Sequence, residues 1–254
     1  MSELLNYKIE GKGHTIVLIH GLFGNLDNLG TLARDLKDDY QVVSLDLRNH
    51  GRSFHSDTHN YQVLAQDAKH TLNFLGLENY TLIGHSMGGK AAMALADIAR
   101  DQVRKLIVLD MAPVRYQQRR HDNVLAGLNA VLAAKPVARS EAMKILAQHI
   151  EIDGVRQFLS KSLYKDEEHL SWRFNVPALE NNYDQIQDWQ DITSIDIPTL
   201  FIKGGDSDYL LAEHQVQIQR QFSRAKAHVI ANTGHWLHAE KPFEVLRTIR
   251  KFIE

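Results

Sequence analysis

One serine of the chain stands in a setting that favours nucleophilic chemistry. Ser86 is the central residue of Gly-x-Ser-x-Gly at 84–88, with an apolar run before it (81–83) and an alanine-rich run after it (87–99). The pattern alone is common by chance, but a strand before it and a helix after it are the context of a nucleophile elbow. Such a turn strains the serine backbone and brings neighbouring chain close, so the flanking positions need glycine. The alternative is an ordinary glycine-rich turn with a capping serine.

The base that would activate this serine is predicted to be His235. A serine hydroxyl is a weak nucleophile at neutral pH and needs a base. The chain has 14 histidines, so a histidine by itself decides nothing. His235 follows the last predicted strand and precedes the last predicted helix, which places it on a loop at the same sheet edge as Ser86. We expect His85 and His238 to be packing residues instead.

Two backbone N–H groups, those of Leu22 and Met87, are the predicted oxyanion-hole donors. Leu22 belongs to LIHGLFGN (18–25), which follows the first central strand, and Met87 opens the helix after the serine. These are the positions from which such donors arise in this kind of fold. Gly21 lets the backbone approach, and His20 is expected to brace the loop. The alternative is a flexible glycine loop.

The acid that would orient the histidine is left open by the residues alone. Asp110 ends the predicted strand RKLIVLD (104–110), whereas Asp206 and Asp208 lie in KGGDSDY, after the next strand. Both strand ends project to the edge that carries Ser86, and the chain order Ser, Asp, His holds either way. Asp110 and Asp208 are therefore both candidates.

Short apolar strands that alternate with amphipathic helices are predicted to position these residues. The predicted strands are 15–21, 41–47, 81–84, 104–110, 197–205 and 226–232. The predicted helices are 29–39, 61–77, 87–99, about 211–222 and 243–253. This alternation predicts an α/β fold with a mostly parallel sheet flanked by helices.

The alternation stops between residues 113 and 192, where the pattern is mostly helical and we predict no strand. The predicted helices of this segment are 121–134, 139–150 and 154–164. We expect an α/β core domain made of 1–112 and 193–254, and a helical cap subdomain, 113–192, inserted between two late strands. The cap would lie over the carboxyl ends of the strands, where ligands of open α/β sheets bind.

Composition excludes several classes of function. The net charge is -2 without a block of like charges, which argues against a nucleic-acid surface. With no cysteine, a disulfide framework and a thiolate nucleophile are impossible. We find no zinc spacing and no dinucleotide motif, so we expect no metal and no cofactor. We also see no secretory signal and no apolar run long enough to span a bilayer, and we expect a cytoplasmic protein whose oligomeric state the sequence leaves open.

Several longer motifs resemble those of a known family. The strings are HGLFGNLDNLG, DLRNHGRS, GHSMGGKAAM, MAPVRY, WRFNVPAL and NTGHWLHAEKP. In order and spacing, and over nearly the whole chain, they are similar to the α/β-hydrolase superfamily and, within it, to the YbfF-type bacterial esterases. The resemblance implies a serine esterase with a helical cap and no cofactor. It also favours Asp110, since the triad aspartate of that group is similar to the one in D-x-A-P-V, here residues 110–114; many other α/β hydrolases place it where this chain has Asp208.

The reaction that these residues predict is a two-step acyl transfer to water. We expect a serine esterase that cleaves small-molecule carboxylic esters of small to medium acyl chains through an acyl-enzyme. Acyl thioesters, including acyl-CoA, present the same carbonyl and are a near alternative. Two other possibilities are a ligand-binding sensor on a hydrolase scaffold and acyl transfer to an alcohol or amine.

Other conspicuous side chains are predicted to be structural. Arg48 is expected to brace its loop, and Lys90 to be a surface or lid contact. Arg120 opens the predicted cap and is expected to lie on a solvated helix face, although it could also meet an anionic substrate. Trp172 and Phe174 are expected to fill the core of the cap.

Overall fold

A central sheet of parallel strands organises the molecule. The computed structural model describes residues 3–254, with strands β1 (Tyr7–Glu10), β2 (Thr15–Ile19), β3 (Gln41–Leu45), β4 (Tyr80–His85), β5 (Val103–Leu109), β6 (Leu163–Asp166), β7 (His169–Trp172), β8 (Thr199–Gly204) and β9 (Ala225–Ile230). The main sheet is seven-stranded, in the order β1-β3-β2-β4-β5-β8-β9. β1 is antiparallel to β3, and the other neighbours pair in parallel. The predicted α/β fold is confirmed.

Helices cover both faces of this sheet and build the segment between β5 and β8. They are α1 (Gly30–Leu36), α2 (Tyr61–Phe74), α3 (Met87–Ile98), α4 (Asp122–Ala134), α5 (Arg139–Ala147), α6 (Asp153–Ser160), α7 (Val176–Asn181), α8 (Tyr183–Gln187), α9 (Gln215–Gln221), α10 (Leu237–Glu240) and α11 (Pro242–Ile253). A short 3₁₀ turn, Ala212–His214, precedes α9.

The two faces of the sheet pack against different helices. Successive side chains of a strand point to opposite faces. In β2, Val17 and Ile19 therefore pack with buried residues of α2 and α3, whereas Ile16 and Leu18 pack with those of α1 and α11. The strand is buried throughout, which explains its continuous apolar sequence.

The register of the central strands brings their carboxyl ends to one edge. His85 pairs with Leu109, and Leu109 pairs with Ile202. The residues that follow β4, β5 and β8 are consequently neighbours, although they are distant in sequence. Ser86 is the first residue after β4, and Asp110 is the first residue after β5.

The segment between β5 and β8 has a hydrophobic core of its own. Its buried residues come mainly from α4 to α7 and from β6 and β7. Trp172 and Phe174 stack at its centre, with ring centroids 5.2 Å apart and planes 11° apart. Phe23, from the loop after β2, joins them, and its ring centroid lies 5.3 Å from that of Phe174. The prediction that Trp172 and Phe174 fill this core is confirmed.

Two details of the structure correct the sequence-based prediction. Residues 163–172, predicted to contain no strand, form the antiparallel hairpin of β6 and β7. Each strand is only four residues long, and Lys165 to Glu168 are exposed, so no apolar run marks it. The helix predicted near 211–222 begins as the 3₁₀ turn and becomes α-helical only at Gln215.

Candidate active site

Ser86 occupies a sharp turn between β4 and α3. Its backbone has φ 55° and ψ -124°, a conformation that costs free energy for a residue with a side chain. Glycine is required on both sides of the turn. A Cβ on Gly84 would lie 2.2 Å from the carbonyl oxygen of Gly88, and a Cβ on Gly88 would lie 2.3 Å from that of His20. The steric reason for the Gly-x-Ser-x-Gly pattern is therefore present in the structure.

The imidazole of His235 lies between Ser86 and an aspartate. The His235 Nε2 atom is 2.8 Å from the Ser86 Oγ atom, and Nδ1 is 2.7 Å from the Asp110 Oδ2 atom. In the tautomer that satisfies both contacts, Nδ1–H donates to the carboxylate and Nε2 accepts the serine proton. His235 sits on the loop between β9 and α10, so three separate strand ends contribute to this cluster.

Of the two candidate acids, only Asp110 contacts the imidazole. Its side chain is fully buried, and its Oδ1 atom accepts the N–H of Gly204 at 3.0 Å. The hydroxyl of Ser207 donates to Oδ2. Asp208 instead has a side chain that is 65% exposed and pairs with Arg120, whose Nη1 atom is 2.6 Å from Oδ1. That hydrogen bond from Arg120 holds the pKa of Asp208 below its usual value.

The loop that carries Leu22 lies against the serine turn. A Cβ on Gly21 would come within 3.2 Å of the Ser86 Cβ atom. Leu22 and Met87 both line the same hollow beside Ser86. Met87 is the first residue of α3, where N–H groups have no partner within the helix. Leu22 and Met87 thus both lie beside Ser86.

Two buried histidines hold this loop. His20 Nδ1–H donates to the carbonyl oxygen of Gly21 at 2.8 Å, and the N–H of Phe23 donates to His50 Nε2 at 3.1 Å. Burial lowers the pKa of both histidines, so both are neutral near pH 7. The bracing role predicted for His20 is present; the role of His50 was missed, because its sequence position gives no sign of the contact. Phe23 has φ 60° and lies between His50, which accepts its N–H, and the aromatic core described above.

Lys90 was predicted to be a surface or lid contact, and the surface part of that prediction is wrong. The side chain is fully buried one turn into α3. Its Nζ atom donates to the carbonyl oxygens of Gln187 and Asp188, each at 2.9 Å, where α8 ends. Burial lowers the pKa of Lys90 to about 7. The lysine thus ties α3 to the chain that returns from the inserted segment.

Ser86 lines two cavities. The smaller, of about 40 Å³, is lined by Leu22, Ser86 and Met87 together with residues of the inserted segment and Tyr209. The larger, a groove of about 320 Å³, is lined by Ser86, His235 and Trp236 and by apolar residues of α4 and α6. Only the groove includes the imidazole in its wall.

Other cavities and clusters contribute less. A groove of about 490 Å³ between α2, α3 and residues 185–192 contains none of the residues of the Ser86 cluster. Within residues 3–254, no three His, Asp or Glu side chains converge as metal ligands would. None of the helices in that range combines the length and apolar character needed to cross a bilayer.

Comparison with known proteins identifies the family. A family model described as the alpha/beta hydrolase fold matches residues 14–242. The chain belongs to this family. The α/β hydrolase is 49% identical to Esterase YbfF of Escherichia coli, over 94% of this chain and 92% of that protein. It is also 36% identical to an sn-1-specific diacylglycerol lipase of Mus musculus, over 94% of this chain and 80% of that protein.

A solved structure agrees with this assignment. A marine microorganism esterase superposes on the α/β hydrolase with a TM-score of 0.95 and 34% sequence identity, covering 99% of this chain and 100% of that one. The agreement extends over the inserted segment as well as the sheet. The fold, including the inserted segment, is therefore shared with a protein described as an esterase.

Proposed function

We propose that this chain is a serine esterase in which Ser86 is the nucleophile, His235 the base and Asp110 the triad acid. The observation that carries the proposal is the unbroken line of hydrogen bonds from Ser86 Oγ through His235 to the carboxylate of Asp110. The relative from Escherichia coli and the solved structure from a marine microorganism are both described as esterases, which supports the same class of reaction.

The geometry fits a double displacement. His235 Nε2 removes the Ser86 proton as Oγ attacks the acyl carbon, and Asp110 stabilises the imidazolium that forms. The N–H groups of Leu22 and Met87 bind the oxyanion, an interaction in which each donor typically contributes about 3 kcal/mol. His235 then protonates the leaving oxygen, and water activated by the same imidazole releases the acid.

The two cavities hold the two parts of the ester substrate. The leaving oxygen has to reach His235 Nε2, so the alcohol part occupies the groove of about 320 Å³ in whose wall the imidazole lies. The acyl part then points into the hollow of about 40 Å³ next to Leu22 and Met87. A hollow of that size holds a short acyl chain, while the groove accepts a bulkier, apolar alcohol. We therefore place the substrates among esters of small to medium acyl chains, with residues 113–192 acting as the cap that closes both cavities.

The proposal is tested with a matched panel of substrates and a covalent probe. We expect hydrolysis of carboxylic esters to be fastest for short acyl chains and to tolerate a large alcohol. A fluorophosphonate should label the protein once, at Ser86, as peptide mass spectrometry would show.

Faster turnover of acyl thioesters than of matched esters would move the assignment to a thioesterase. If an added alcohol takes up the acyl group in most of the product, the activity would be acyl transfer and not hydrolysis. Tight ligand binding without turnover would indicate a sensor.

A further inference from the structure

The aromatic ring of Tyr209 lies flat against the imidazole of His235. Their ring centroids are 3.9 Å apart, and the planes differ by only 20°. The guanidinium carbon of Arg120 lies over the same tyrosine ring, 4.5 Å from its centroid. Two planar groups cannot both fit at these distances on one face of a ring. Tyr209 is therefore held between His235 on one face and Arg120, from the inserted segment, on the other.

The stack is fixed by the loop after β8. The hydroxyl of Tyr116 donates to the carbonyl oxygen of Tyr209 at 2.6 Å. The N–H of Tyr209 donates to Ser207 Oγ at 3.3 Å, and Ser207 in turn donates to Asp110. This loop therefore makes two contacts with the Ser86 cluster. Ser207 contacts the carboxylate of Asp110, and the ring of Tyr209 contacts the imidazole of His235.

Arg120 is itself held in place. Its Nη1 atom pairs with Asp208 at 2.6 Å, so the guanidinium plane is anchored to the loop that carries Tyr209. The aspartate that sequence analysis treated as an alternative acid thus has a different contact in the structure. It joins the inserted segment to the loop after β8.

We propose that Tyr209 is a positioning residue for His235, and that Arg120 holds the tyrosine ring against the imidazole. The inference rests on the proposed function, since it assumes that His235 is the base. A flat ring at 3.9 Å stops the imidazole from rotating away from Ser86 and Asp110. Its π face also attracts the positive charge that the imidazole carries in the transition state.

The ring face of Tyr209, and not its hydroxyl, carries this effect. Burial raises the pKa of Tyr209 to about 12, so the phenol is uncharged at any working pH. A phenylalanine at the same position would present the same face. Tyr209→Phe should therefore keep the interaction, whereas Tyr209→Leu should remove it.

Three other histidines lie near the imidazole of His235. Burial lowers the pKa of His121 and of His238 to about 4, and that of His85 also falls well below its usual value. These neighbours are neutral near pH 7. Arg120 and Asp208 face the imidazole from the other side of Tyr209 and remain charged as a pair. Among these neighbours, Arg120 is therefore the cation that meets the other face of Tyr209.

The first test compares Tyr209→Leu with Tyr209→Phe. We expect Tyr209→Leu to lower kcat by about 3-fold to about 30-fold, as expected for a lost cation–π contact, with little change in KM. The loss falls on kcat because the imidazolium that forms in the transition state loses its contact with the ring face. Tyr209→Phe should recover most of the kcat. Tyr209→Met replaces the leucine variant if the latter does not fold.

A matched control exists elsewhere in the chain. Tyr164, in β6, stacks under the Arg173 guanidinium at 4.8 Å and lines neither cavity beside Ser86. Tyr164→Leu removes an arginine–tyrosine contact of the same kind, so any loss of stability common to such contacts appears in it. We expect its kcat and KM to remain native.

The second test asks whether Arg120 acts through the tyrosine. Arg120→Met should lower kcat by about 2-fold to about 10-fold in the native background. In the Tyr209→Leu background it should cost nothing further, because residues that act through one another are not additive. A full additional loss in the double variant would show that Arg120 acts independently and would overturn its part of the proposal.

The results separate this inference from the proposed function. If Tyr209→Leu folds, as circular dichroism and thermal unfolding would show, and its kcat and KM match those of Tyr209→Phe, then Tyr209 does not position the imidazole. That outcome leaves a serine-dependent esterase intact. If hydrolysis instead proves independent of Ser86, the proposed function fails first, whatever the tyrosine variants do.

Discussion

The carboxylate of Asp110 accepts the Nδ1 proton of His235 at 2.7 Å, across 125 residues of sequence. The contact arises because β5 and β8 are neighbours and the loop after β9 folds back over both strand ends. Asp110 has φ 51° directly after its strand, which turns its side chain along the sheet edge. A single buried hydrogen bond thus determines which ring nitrogen of His235 faces the serine.

This hydrogen bond predicts unequal effects of two substitutions. Asp110→Asn should lower kcat by about 10⁴-fold, because an amide stabilises the wrong tautomer and no longer balances the imidazolium. Asp208→Asn should lose less than about tenfold, since that carboxylate pairs with Arg120 at the surface. Steady-state kinetics on a short-chain ester measure both. A large loss of kcat in Asp208→Asn together with an active Asp110→Asn would show that Asp208, and not Asp110, is the acid.

The serine turn predicts a stability difference between glycines. Gly84→Ala places a Cβ 2.2 Å from the Gly88 carbonyl oxygen, so the turn has to open. We expect a loss of about 2 to 3 kcal/mol in the free energy of unfolding, the usual cost of forcing an extra methyl group into a packed site. Gly154→Ala, in α6, is the control: no atom lies within 4 Å of its Cβ, and alanine should be neutral or slightly stabilising there. Urea unfolding compares the two, and equal stability of both variants would refute the steric explanation of the motif.

Buried neutral histidines predict that the fold weakens in acid. Burial lowers the pKa of His59 to about 3 and of His121 and His238 to about 4, whereas the unfolded chain titrates near the usual value of about 6.5. Between these values the unfolded state binds more protons, so stability is present above about pH 6.5 and is lost as pH falls. Each of the three should cost about 1 to 2 kcal/mol between pH 7 and pH 5.

Urea unfolding at several pH values tests this dependence. His59→Gln should flatten the slope of stability against pH, while His228→Gln, at an exposed position of β9, should leave it as it is. A native protein that is as stable at pH 5 as at pH 7 would be inconsistent with neutral histidines in the interior.

Lys90 predicts how firmly the inserted segment is held. Lys90→Met leaves two carbonyl oxygens, those of Gln187 and Asp188, without their donor. We expect a loss of about 2 to 4 kcal/mol, because each unsatisfied buried carbonyl typically costs about 1 to 3 kcal/mol, and faster proteolysis near residues 183–192. Lys69→Met is the matched control, since Lys69 also donates to a backbone carbonyl, that of Ile98, but at the surface. Identical cleavage patterns for the two variants would argue against this role of Lys90.

Much of the fold could be predicted because burial leaves a periodic pattern. Continuous apolar runs such as 15–19 predicted buried parallel strands, and the alternation with helices predicted their common direction. That direction was sufficient to expect Ser86 and His235 at one edge. The hairpin of β6 and β7 could not be predicted, because its two short strands are half exposed and carry charged residues such as Lys165.

The finer structure of the site depends on contacts that no local pattern records. Asp110 and Asp208 both follow strands that end side by side, so only the direction of each side chain separates them. Ser207 and Tyr209 were missed because a serine and a tyrosine in a polar loop have no distinctive spacing. Arg120 was expected on a solvated face, whereas its guanidinium stacks on Tyr209 beside the serine.

The most direct test of the account is the hydrolysis of a short-chain carboxylic ester by the native protein, Ser86→Ala and Ser140→Ala. Ser140 is an exposed residue of α5 and controls for the loss of a hydroxyl. We predict that Ser86→Ala folds normally and loses about a million-fold in kcat, as expected when nucleophile and base act as a unit, while Ser140→Ala keeps native activity. A loss of less than about tenfold in a well-folded Ser86→Ala variant would contradict the assignment of Ser86 as the nucleophile.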